Sequence, residues 1–284
     1  MKIVISVDSP ADLSKDLIEK YNISVMPFIV NMGEKVCLDG IDVNGAQLID
    51  YVEKSGELPK TAAPSELAYK EHFSKLLENG YDKVVHYCIS TDLSVACSNA
   101  IRASQEFNGN VQVVDSKALS SGIALLALFA CDLVKEEKSF EEIVKTTSEV
   151  VPFVQTSFTL DNLKLLHKGG RCSGTAKILS MALAIKPSLQ MKNGKLEPHR
   201  KYMLTKFPVV VKKYVINTLE EFNNFDKTRV FVTHTPTSRE VVDMVKNLLK
   251  DKFDEVLECD AGATVSSHCG KDTIGILYIN KPRS

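Results

Sequence analysis

Hydroxyl and carboxylate side chains follow three short segments that are rich in Val and Ile. Asp8 and Ser9 follow the first segment, the run Ser90–Ser94 follows the second, and Asp115 and the nearby Ser120 follow the third. If these segments are parallel strands, their carboxyl ends meet at one sheet edge, where ligands bind in such folds. Hydroxyl donors beside helix N-termini suit a carboxylate or a phosphate. Each cluster taken alone is more often a helix N-cap.

Two residues in the second half of the chain add possible chemistry. Arg171 lies in the glycine-rich stretch from Lys168 to Gly174. That stretch fits a helix C-terminus with a left-handed Gly, and equally well a functional arginine close to the site. His268 lies before the last predicted strand, and we expect it in a loop, where a histidine is more often functional than on a core face.

Several familiar motifs are absent from the sequence. No Gly-x-Gly-x-x-Gly follows the first segment and no Walker-type phosphate loop occurs, so neither dinucleotides nor nucleoside triphosphates have their usual cradle. There is no His-Glu-x-x-His or Cys-x-x-Cys pair, and we predict neither a metal nor a cofactor. The absence of Gly-x-Ser-x-Gly weakens a serine hydrolase interpretation without eliminating it.

The elements that must hold these residues alternate between strand and helix in the first half of the chain. This alternation predicts a mostly parallel α/β sheet, with a small hairpin turning at Gly33. The predicted strands are Ile3–Val7, Ser24–Val30, Lys83–Cys88 and Val111–Val114. The predicted helices are Ser14–Tyr21, Asn44–Lys54, Ser65–Glu78, Leu93–Phe107 and Leu119–Lys135.

The pattern changes near residues 150–160, which divides the chain into an N-terminal α/β domain at 1–155 and a C-terminal α+β domain at 156–284. Asn193 and Gly194 lie between two alternating runs and predict a hairpin of antiparallel strands. The other elements expected here are strands Phe153–Ser157, Thr228–Thr233, Glu255–Cys259 and Thr273–Ile279, and helices Asp161–His167, Ala176–Ala184, Phe207–Phe222 and Ser238–Leu249.

Composition narrows the class of protein. The 284 residues include 35 Lys and Arg and 36 Asp and Glu, which gives a net charge of −1. The protein as a whole therefore has no positive electrostatic field that would attract nucleic acid. The seven cysteines are an odd number and are expected to be reduced thiols. The first residues contain no apolar run long enough for a signal peptide, so we expect a cytoplasmic protein.

The motifs that contain these residues resemble those of the DegV family. They run through the whole chain in the family's order: Val7-Asp8-Ser9, Ala11-Asp12-Leu13, Asp39-Gly40-Ile41-Asp42, Lys60-Thr61, Pro64-Ser65, Ser90-Thr91, Leu93-Ser94, Val114-Asp115-Ser116, Ser120, Gly122, Lys168-Gly169-Gly170-Arg171, Ile185-Lys186-Pro187, Gly194, Pro198, His268 and Gly270.

The resemblance implies a two-domain α/β protein that binds a long-chain fatty acid between its domains. It also implies that Thr61, Ser94 and His268 converge on the fatty acid carboxylate with Arg171 nearby, and we add Ser120 as a ligand-binding candidate. Some DegV-like proteins are the acyl-carrying, non-catalytic subunit of bacterial fatty acid kinase, in which a separate subunit supplies the ATP chemistry. The expected partners are therefore a fatty acid and a kinase subunit, with transient membrane contact compatible with such a ligand.

The sequence departs from the family pattern at several positions. Val95 and Ala96 follow Ser94 where the family has Gly-Thr, and Cys269 follows His268 where it has Thr. Met203 replaces an arginine, which bears on partner binding if that arginine docks the kinase subunit.

Two other functions stay open. The first is an acyl-ester hydrolase or acyltransferase with Ser94 as nucleophile, His268 as base and Asp115 orienting the histidine. The second is a regulatory module that senses fatty acid without a kinase partner. Lipid binding has its own physical basis, because burying roughly a dozen methylenes contributes on the order of 10 kcal/mol before the costs of binding are subtracted.

Overall fold

The computed structural model describes residues 1–172, 185–203 and 206–282, which form three sheets with helices packed against them. The strands are β1 Ile3–Asp8, β2 Ser24–Met26, β3 Ile29–Met32, β4 Lys35–Leu38, β5 Lys60–Ala62, β6 Lys83–Cys88, β7 Val111–Asp115, β8 Val154–Leu160, β9 Ile185–Lys192, β10 Lys195–Met203, β11 Phe225–His234, β12 Glu255–Asp260 and β13 Thr273–Asn280. The helices are α1 Lys15–Tyr21, α2 Gly45–Ser55, α3 Glu66–Glu78, α4 Ala96–Ser104, α5 Ser121–Lys135, α6 Phe140–Val150, α7 Lys164–Gly169, α8 Phe207–Glu221, α9 Arg239–Leu249 and α10 Ala263–Cys269.

The first sheet is parallel, in the order β2-β1-β6-β7. Five of the six residues of β1 are buried, as expected for a strand that is covered on both faces. The chain leaves β1 toward β2 on one side, while β6 and β7 lie on the other, so the order reverses between β1 and β6. The carboxyl ends of β1 and β6 are thus the place where a ligand is expected.

The largest sheet has the order β10-β9-β8-β13-β11-β12 and is antiparallel except for the parallel pair β11 and β12. The hairpin predicted at Asn193 and Gly194 joins β9 to β10. The mixed α/β fold, with a parallel sheet first and antiparallel strands later, is confirmed. The predicted domain boundary at 155/156 lies next to the start of β8 and stays a prediction.

One predicted strand is in fact two. Ser24–Val30 is divided into β2, which joins the parallel sheet, and β3, which joins β4 and β5 in a small antiparallel sheet. Pro27 lies between them and has no N–H for a sheet hydrogen bond, which explains the break. The small sheet carries Thr61 on β5, opposite Val30.

Helix α5 lies between the parallel sheet and the large sheet and contacts β1, β6, β8 and β13. Most of its side chains are buried, as expected for a helix that is apolar on all sides from Ile123 to Cys131. Gly122 lets the α5 backbone pack closely against β8 of the large sheet, because a side chain at this position would clash with the hydroxyl oxygen of Thr156. One continuous core therefore joins the two sheets.

Other element predictions differ from the structure in smaller ways. Helix α4 begins at Ala96 rather than Leu93, because residues 91–94 form a turn whose amides bond back to Ser90. Helix α6 was not predicted, although Ser139 and Glu142 form a capping box at its start. The predicted helix Ala176–Ala184 lies outside the described residues. Among the described helices, none combines the length and apolar character needed to cross a bilayer.

Candidate ligand-binding site

Thr61 and His268 come from distant parts of the chain and meet at one contact. The side-chain oxygen of Thr61 lies 3.2 Å from Nε2 of His268, although 207 residues separate them in sequence. Thr61 is held by the pairing of β5 with β3, and His268 by helix α10. The contact joins the small sheet to the last helix and leaves two polar groups side by side.

The prediction that His268 lies in a loop is wrong, because the residue is in the last turn of α10. Ser266 and Ser267 made the segment resemble a loop in sequence. In the helix, the Ser266 hydroxyl donates to the carbonyl of Ala261 at 3.1 Å and the Ser267 hydroxyl donates to that of Thr264 at 2.7 Å. These local bonds let hydroxyl residues be buried in a helix.

The surroundings of His268 favour the neutral imidazole. Burial, with a smaller contribution from the positive charge of Arg171, lowers the pKa of His268 from 6.5 to about 4. The backbone of Gly169 lies against the ring, because a Cβ at that position would come within 2.5 Å of Nδ1. At neutral pH the histidine therefore offers one N–H donor and carries no charge.

Arg171 follows the end of α7 and lines the same cavity as His268. Gly170 has φ +68° and ends α7 in the left-handed conformation, as one of the two sequence interpretations required. The other interpretation, an arginine close to the site, also agrees with the structure, because the exposed Arg171 side chain lines the cavity. Nη1 of Arg171 donates a hydrogen bond to the carbonyl of Gly169 at 2.6 Å. The two interpretations therefore do not exclude each other.

Ser94 lines the cavity from the turn that follows β6. Its hydroxyl accepts a hydrogen bond of 3.2 Å from the backbone N–H of Ala96, the first residue of α4, although the N-cap position itself is occupied by Val95. Because the hydroxyl hydrogen is not used by that bond, Ser94 can still donate to a ligand. Four of the five predicted site residues, Thr61, Ser94, Arg171 and His268, thus line one cavity.

The cavity itself is mostly apolar and small, at about 90 Å³. Its polar groups are concentrated at the four residues just described and Thr264. The remaining lining side chains are Phe28, Ala63, Ile89, Leu93, Leu119, Phe158, Leu166, Leu196, Val265 and Cys269. A few hydrogen-bonding groups beside an apolar wall are typical of sites for molecules with one polar end.

Ser120, the fifth predicted residue, does not line this cavity. Its hydroxyl donates to the buried carboxyl group of Asp12 at 2.5 Å. The residue has φ +53° and ψ −143°, which side chains other than Gly rarely adopt, so the backbone is strained at the start of α5. Ser120 therefore contributes to a polar cluster behind the site, and ligand contact by Ser120 stays a prediction.

That polar cluster holds the N-terminus of α10, and sequence reasoning missed its role. Asp39 accepts hydrogen bonds from the backbone N–H groups of Ala263 at 2.8 Å and Thr264 at 3.3 Å. Asp12 accepts one from Gly262 at 2.8 Å. Carboxylates stabilise a helix N-terminus through these free N–H groups and the helix dipole. The motifs containing Asp12 and Asp39 are visible in the sequence, but nothing local indicates that they contact a helix more than two hundred residues away.

Asp12 is also unusual in its protonation. Burial raises the pKa of Asp12 to about 8, against the lowering effect of the hydrogen bonds from Ser120 and Gly262. The negative charge of Asp39 adds to the increase. The Asp12 carboxyl therefore favours its protonated form at neutral pH.

Within the described residues, one group of three side chains has metal-ligand character: Asp8, His86 and Cys88, all buried. Both oxygens of Asp8 are already hydrogen-bonded, one by the hydroxyl of Tyr69 at 2.5 Å and the other by the N–H of Ile89 at 3.0 Å. Nδ1 of His86 lies 2.9 Å from the Ser6 hydroxyl. The group is therefore a hydrogen-bonded network in the parallel sheet.

The triad considered for a hydrolase is not assembled as that function requires. Asp115 is bonded by the hydroxyl of Thr91 at 2.6 Å and by the ammonium of Lys117 at 2.8 Å. His268 has its contact with Thr61 instead of with Asp115. A carboxylate that orients the histidine is the feature a Ser-His-Asp mechanism needs.

Comparison with known proteins agrees with these motifs. A family model described as "Uncharacterised protein, DegV family" matches residues 2–281. The chain belongs to the DegV family. A DegV domain-containing protein of Clostridium acetobutylicum is 30% identical over 281 residues, which cover 99% of each chain.

Solved structures of two other proteins are similar to this chain over nearly its whole length. A fatty acid-binding DegV family protein from Thermus thermophilus superposes with a TM-score of 0.90 at 25% identity and covers 99% of this chain and 100% of its own. A stearic acid-binding protein from Eubacterium ventriosum superposes with a TM-score of 0.84 at 26% identity and covers 98% of each chain. The family and the fold that the sequence motifs implied are confirmed.

Proposed function

We propose that this DegV-family chain binds one long-chain fatty acid and carries it for a separate kinase subunit. The observation that carries the proposal is the contact of Thr61 with His268 in the wall of a mostly apolar cavity. Fatty acid binding by the Thermus and Eubacterium relatives supports the same ligand class. The ligand would contact both predicted domains, because Thr61 and Ser94 belong to residues 1–155 and His268 and Arg171 to residues 156–284.

The head group is proposed to bind through neutral donors with one cation nearby. Thr61 and Ser94 each donate a hydroxyl hydrogen to the carboxylate, and neutral His268 donates one ring N–H. Hydrogen bonds to a charged acceptor are stronger than those between neutral groups, so three of them can replace the lost hydration of a carboxylate. Arg171 supplies a positive charge at the exposed side, where it can be shared with a partner.

The tail is proposed to enter among the apolar side chains that line the cavity. About 90 Å³ is well below the roughly 300 Å³ of the smaller sites for drug-sized ligands, so the walls must separate as the acyl chain enters. Phe158 and Leu119 line both this cavity and a smaller neighbouring one. The acyl chain is therefore proposed to extend past these two side chains into the smaller cavity. Each buried methylene then contributes about 0.8 kcal/mol.

We also propose that the partner is a separate kinase subunit and that the protein acts in the cytoplasm. The sequence has no loop that cradles nucleotide phosphates, so phosphoryl transfer to the carboxylate would require another subunit. Exposed Arg171 and Val95 flank the head-group residues and offer a mixed polar and apolar contact for that subunit. Met203 is 80% exposed on β10 and would supply an apolar contact in place of the family's arginine.

Two assays test the proposal. Delipidated protein should bind palmitate or oleate at one molecule per chain in calorimetry, and His268→Ala should weaken binding about tenfold through the lost donor. His199→Ala, which lies outside the cavity, is the matched control.

A panel of short and long acyl esters and thioesters should show no turnover by the wild type. Turnover at enzymatic rates that His268→Ala abolishes would replace the carrier function with a hydrolase.

A further inference from the structure

The hairpin of β9 and β10 forms part of the wall of the candidate fatty acid cavity, and its tip is seated on the N-terminal part of the chain. Gly194 at the tip is buried, although its neighbours Asn193 and Lys195 are exposed. The hydroxyl of Ser90, in the turn that follows β6, donates a hydrogen bond of 2.7 Å to the carbonyl of Gly194 across 104 residues of sequence. The contact therefore lies at the edge of the parallel sheet where ligands are expected.

The tip fits its seat closely because Gly194 has no side chain. Asn193 and Gly194 both have positive φ, +51° and +85°, as in the two-residue turns that Asn-Gly favours. A Cβ on Gly194 would lie 2.7 Å from a carboxylate oxygen of Asp92 and 2.8 Å from Cδ of Lys117. It would also lie 2.9 Å from the hydroxyl oxygen of Ser90. We call this packing of Gly194 against the three side chains the tip contact.

The hairpin is joined to the rest of the large sheet over a short length. Strand β9 has eight residues, and Ser188–Gln190 are the part that pairs with β8. Strand β10 is at the edge of this sheet, and its pairing with β9 is irregular between Pro198 and Lys201, which is a place where a strand bends. Residues 191–198, which we call the ribbon, thus extend beyond β8 as two strands, an arrangement that is only marginally stable by itself.

Two leucines connect the tip contact to the cavity. Leu93 belongs to the turn that begins at Ser90, and Leu196 belongs to the ribbon. Both side chains line the cavity. Leu196 also forms an isolated bridge with Cys172, the residue that follows Arg171. Movement of the ribbon would therefore separate Leu196 from Leu93 and shift the backbone beside Arg171.

The cavity, of about 90 Å³, must enlarge before it can hold an acyl chain. Helix α5 resists movement because its buried side chains form one core with both sheets. The ribbon is held at its tip by a hydrogen bond, and Leu196 is its one buried apolar side chain, so it is the part of the wall that opens most easily. On the basis of the fatty acid binding proposed above, we propose that the ribbon is the lid of the cavity and that the hydrogen bond from Ser90 to Gly194 holds it closed.

A lid predicts a change in the rates of binding rather than a loss of affinity. The bond from Ser90 to Gly194 forms whenever the lid is closed, with or without ligand, so its loss lowers the barriers to entry and release equally. Ser90→Ala should increase the rates of uptake and release of cis-parinarate, a fatty acid that fluoresces without an added label, about fivefold in stopped-flow measurements. The dissociation constant should change by less than about twofold. Ser116→Ala, which removes a buried hydroxyl that donates to the carbonyl of Cys88, is the matched control and should leave both rates unchanged.

Gly194→Ala tests the fit of the tip by a different route. The added methyl group would meet Asp92 and Lys117, so both rates should increase at least as much as in Ser90→Ala. Gly80→Ala introduces the same left-handed strain, at φ +89°, but its Cβ would meet nothing within 4 Å, and it is the matched control. In fatty acid-free protein, hydrogen exchange of the ribbon amides should be faster in Ser90→Ala and Gly194→Ala than in the wild type, while that of β8 should not change.

Fatty acid binding by the wild type is measured first, because it separates the lid from the binding function. A wild type that binds neither palmitate nor cis-parinarate would overturn the proposed function and the lid with it. Fatty acid binding with wild-type rates in both Ser90→Ala and Gly194→Ala would overturn the lid alone. Equal acceleration in the two controls, or weaker affinity without faster uptake, would show that the tip contact only stabilises the fold and would also overturn the lid.

Discussion

The Asp39 carboxylate accepts a hydrogen bond of 2.8 Å from the backbone N–H of Ala263, although 224 residues separate the two in sequence. Ala263 is the first residue of α10, and His268 is near the end of the same seven-residue helix. A helix this short is not stable by itself, so its position depends on the groups that hold it. Asp39 therefore determines, through α10, where the imidazole of His268 meets Thr61.

Asp39→Asn should lower both the stability of the protein and its affinity for fatty acid. The amide keeps one acceptor oxygen but loses the charge and the second acceptor at the helix N-terminus. We expect a decrease of about 1–2 kcal/mol in the free energy of unfolding, measured by urea denaturation. Asp251→Asn, at an exposed position, is the control. Unchanged stability and affinity in Asp39→Asn would remove this residue from the positioning of His268.

Asp12→Asn should have an effect that depends on pH. Because the pKa of Asp12 is raised to about 8, the folded state favours the protonated form, and its stability declines as pH rises from 3.8 toward about 8. Asparagine is neutral at every pH and keeps an acceptor for Gly262. The variant should therefore gain stability relative to wild type between about pH 5 and about pH 9 in parallel denaturant titrations. A constant difference across that range would contradict a raised pKa.

His268 should make the ligand-free protein less stable in acid. Its folded pKa of about 4 lies below the ordinary 6.5, so stability is present above pH 6.5 and is lost as pH falls toward 4. The difference between these pKa values corresponds to at most roughly 3 kcal/mol. His268→Asn should therefore show a shallower loss of stability over this range in delipidated protein. An identical pH dependence in both proteins would show that the histidine is not desolvated.

Most helices and strands could be predicted from the sequence, because caps and turns are determined by a few neighbouring residues. Ser65 caps α3 and the Asn193 turn joins β9 to β10, and both could be identified from a few neighbouring residues. Pro27 shows the limit of this reasoning, because the break that it causes in the run Ser24–Val30 is local, whereas the sheet that each half joins depends on long-range pairing. The strand pattern carried no information about which sheet each half would join.

The site was predictable by residue type and by family motif, but its supports were not. Thr61, Ser94, Arg171 and His268 were chosen from sequence, and the structure brings them to one cavity. Ser120 has the same hydroxyl chemistry, yet its partner is Asp12 behind the site. Which acceptor a hydroxyl reaches depends on long-range packing, and no spacing rule in the sequence describes that.

Thr61→Val and Ser94→Ala should each weaken fatty acid binding without unfolding the protein. Each removes one donor to a charged acceptor, for a loss of roughly 1–3 kcal/mol of binding free energy. Thr146→Val on α6 and Ser98→Ala on α4 are matched controls outside the cavity. Calorimetry with palmitate provides the affinities. Wild-type affinity in the double variant Thr61→Val, Ser94→Ala would exclude these hydroxyls from the head-group site.

Native mass spectrometry of protein purified without added lipid tests the central claim most directly. The account predicts a species heavier than the bare chain by the mass of one straight-chain fatty acid, released by organic solvent and identified in the extract. The same preparation of the double variant Thr61→Val, Ser94→Ala should contain much less of that species. A wild-type protein that carries no fatty acid, and that takes up none when palmitate or oleate is supplied, would contradict the account.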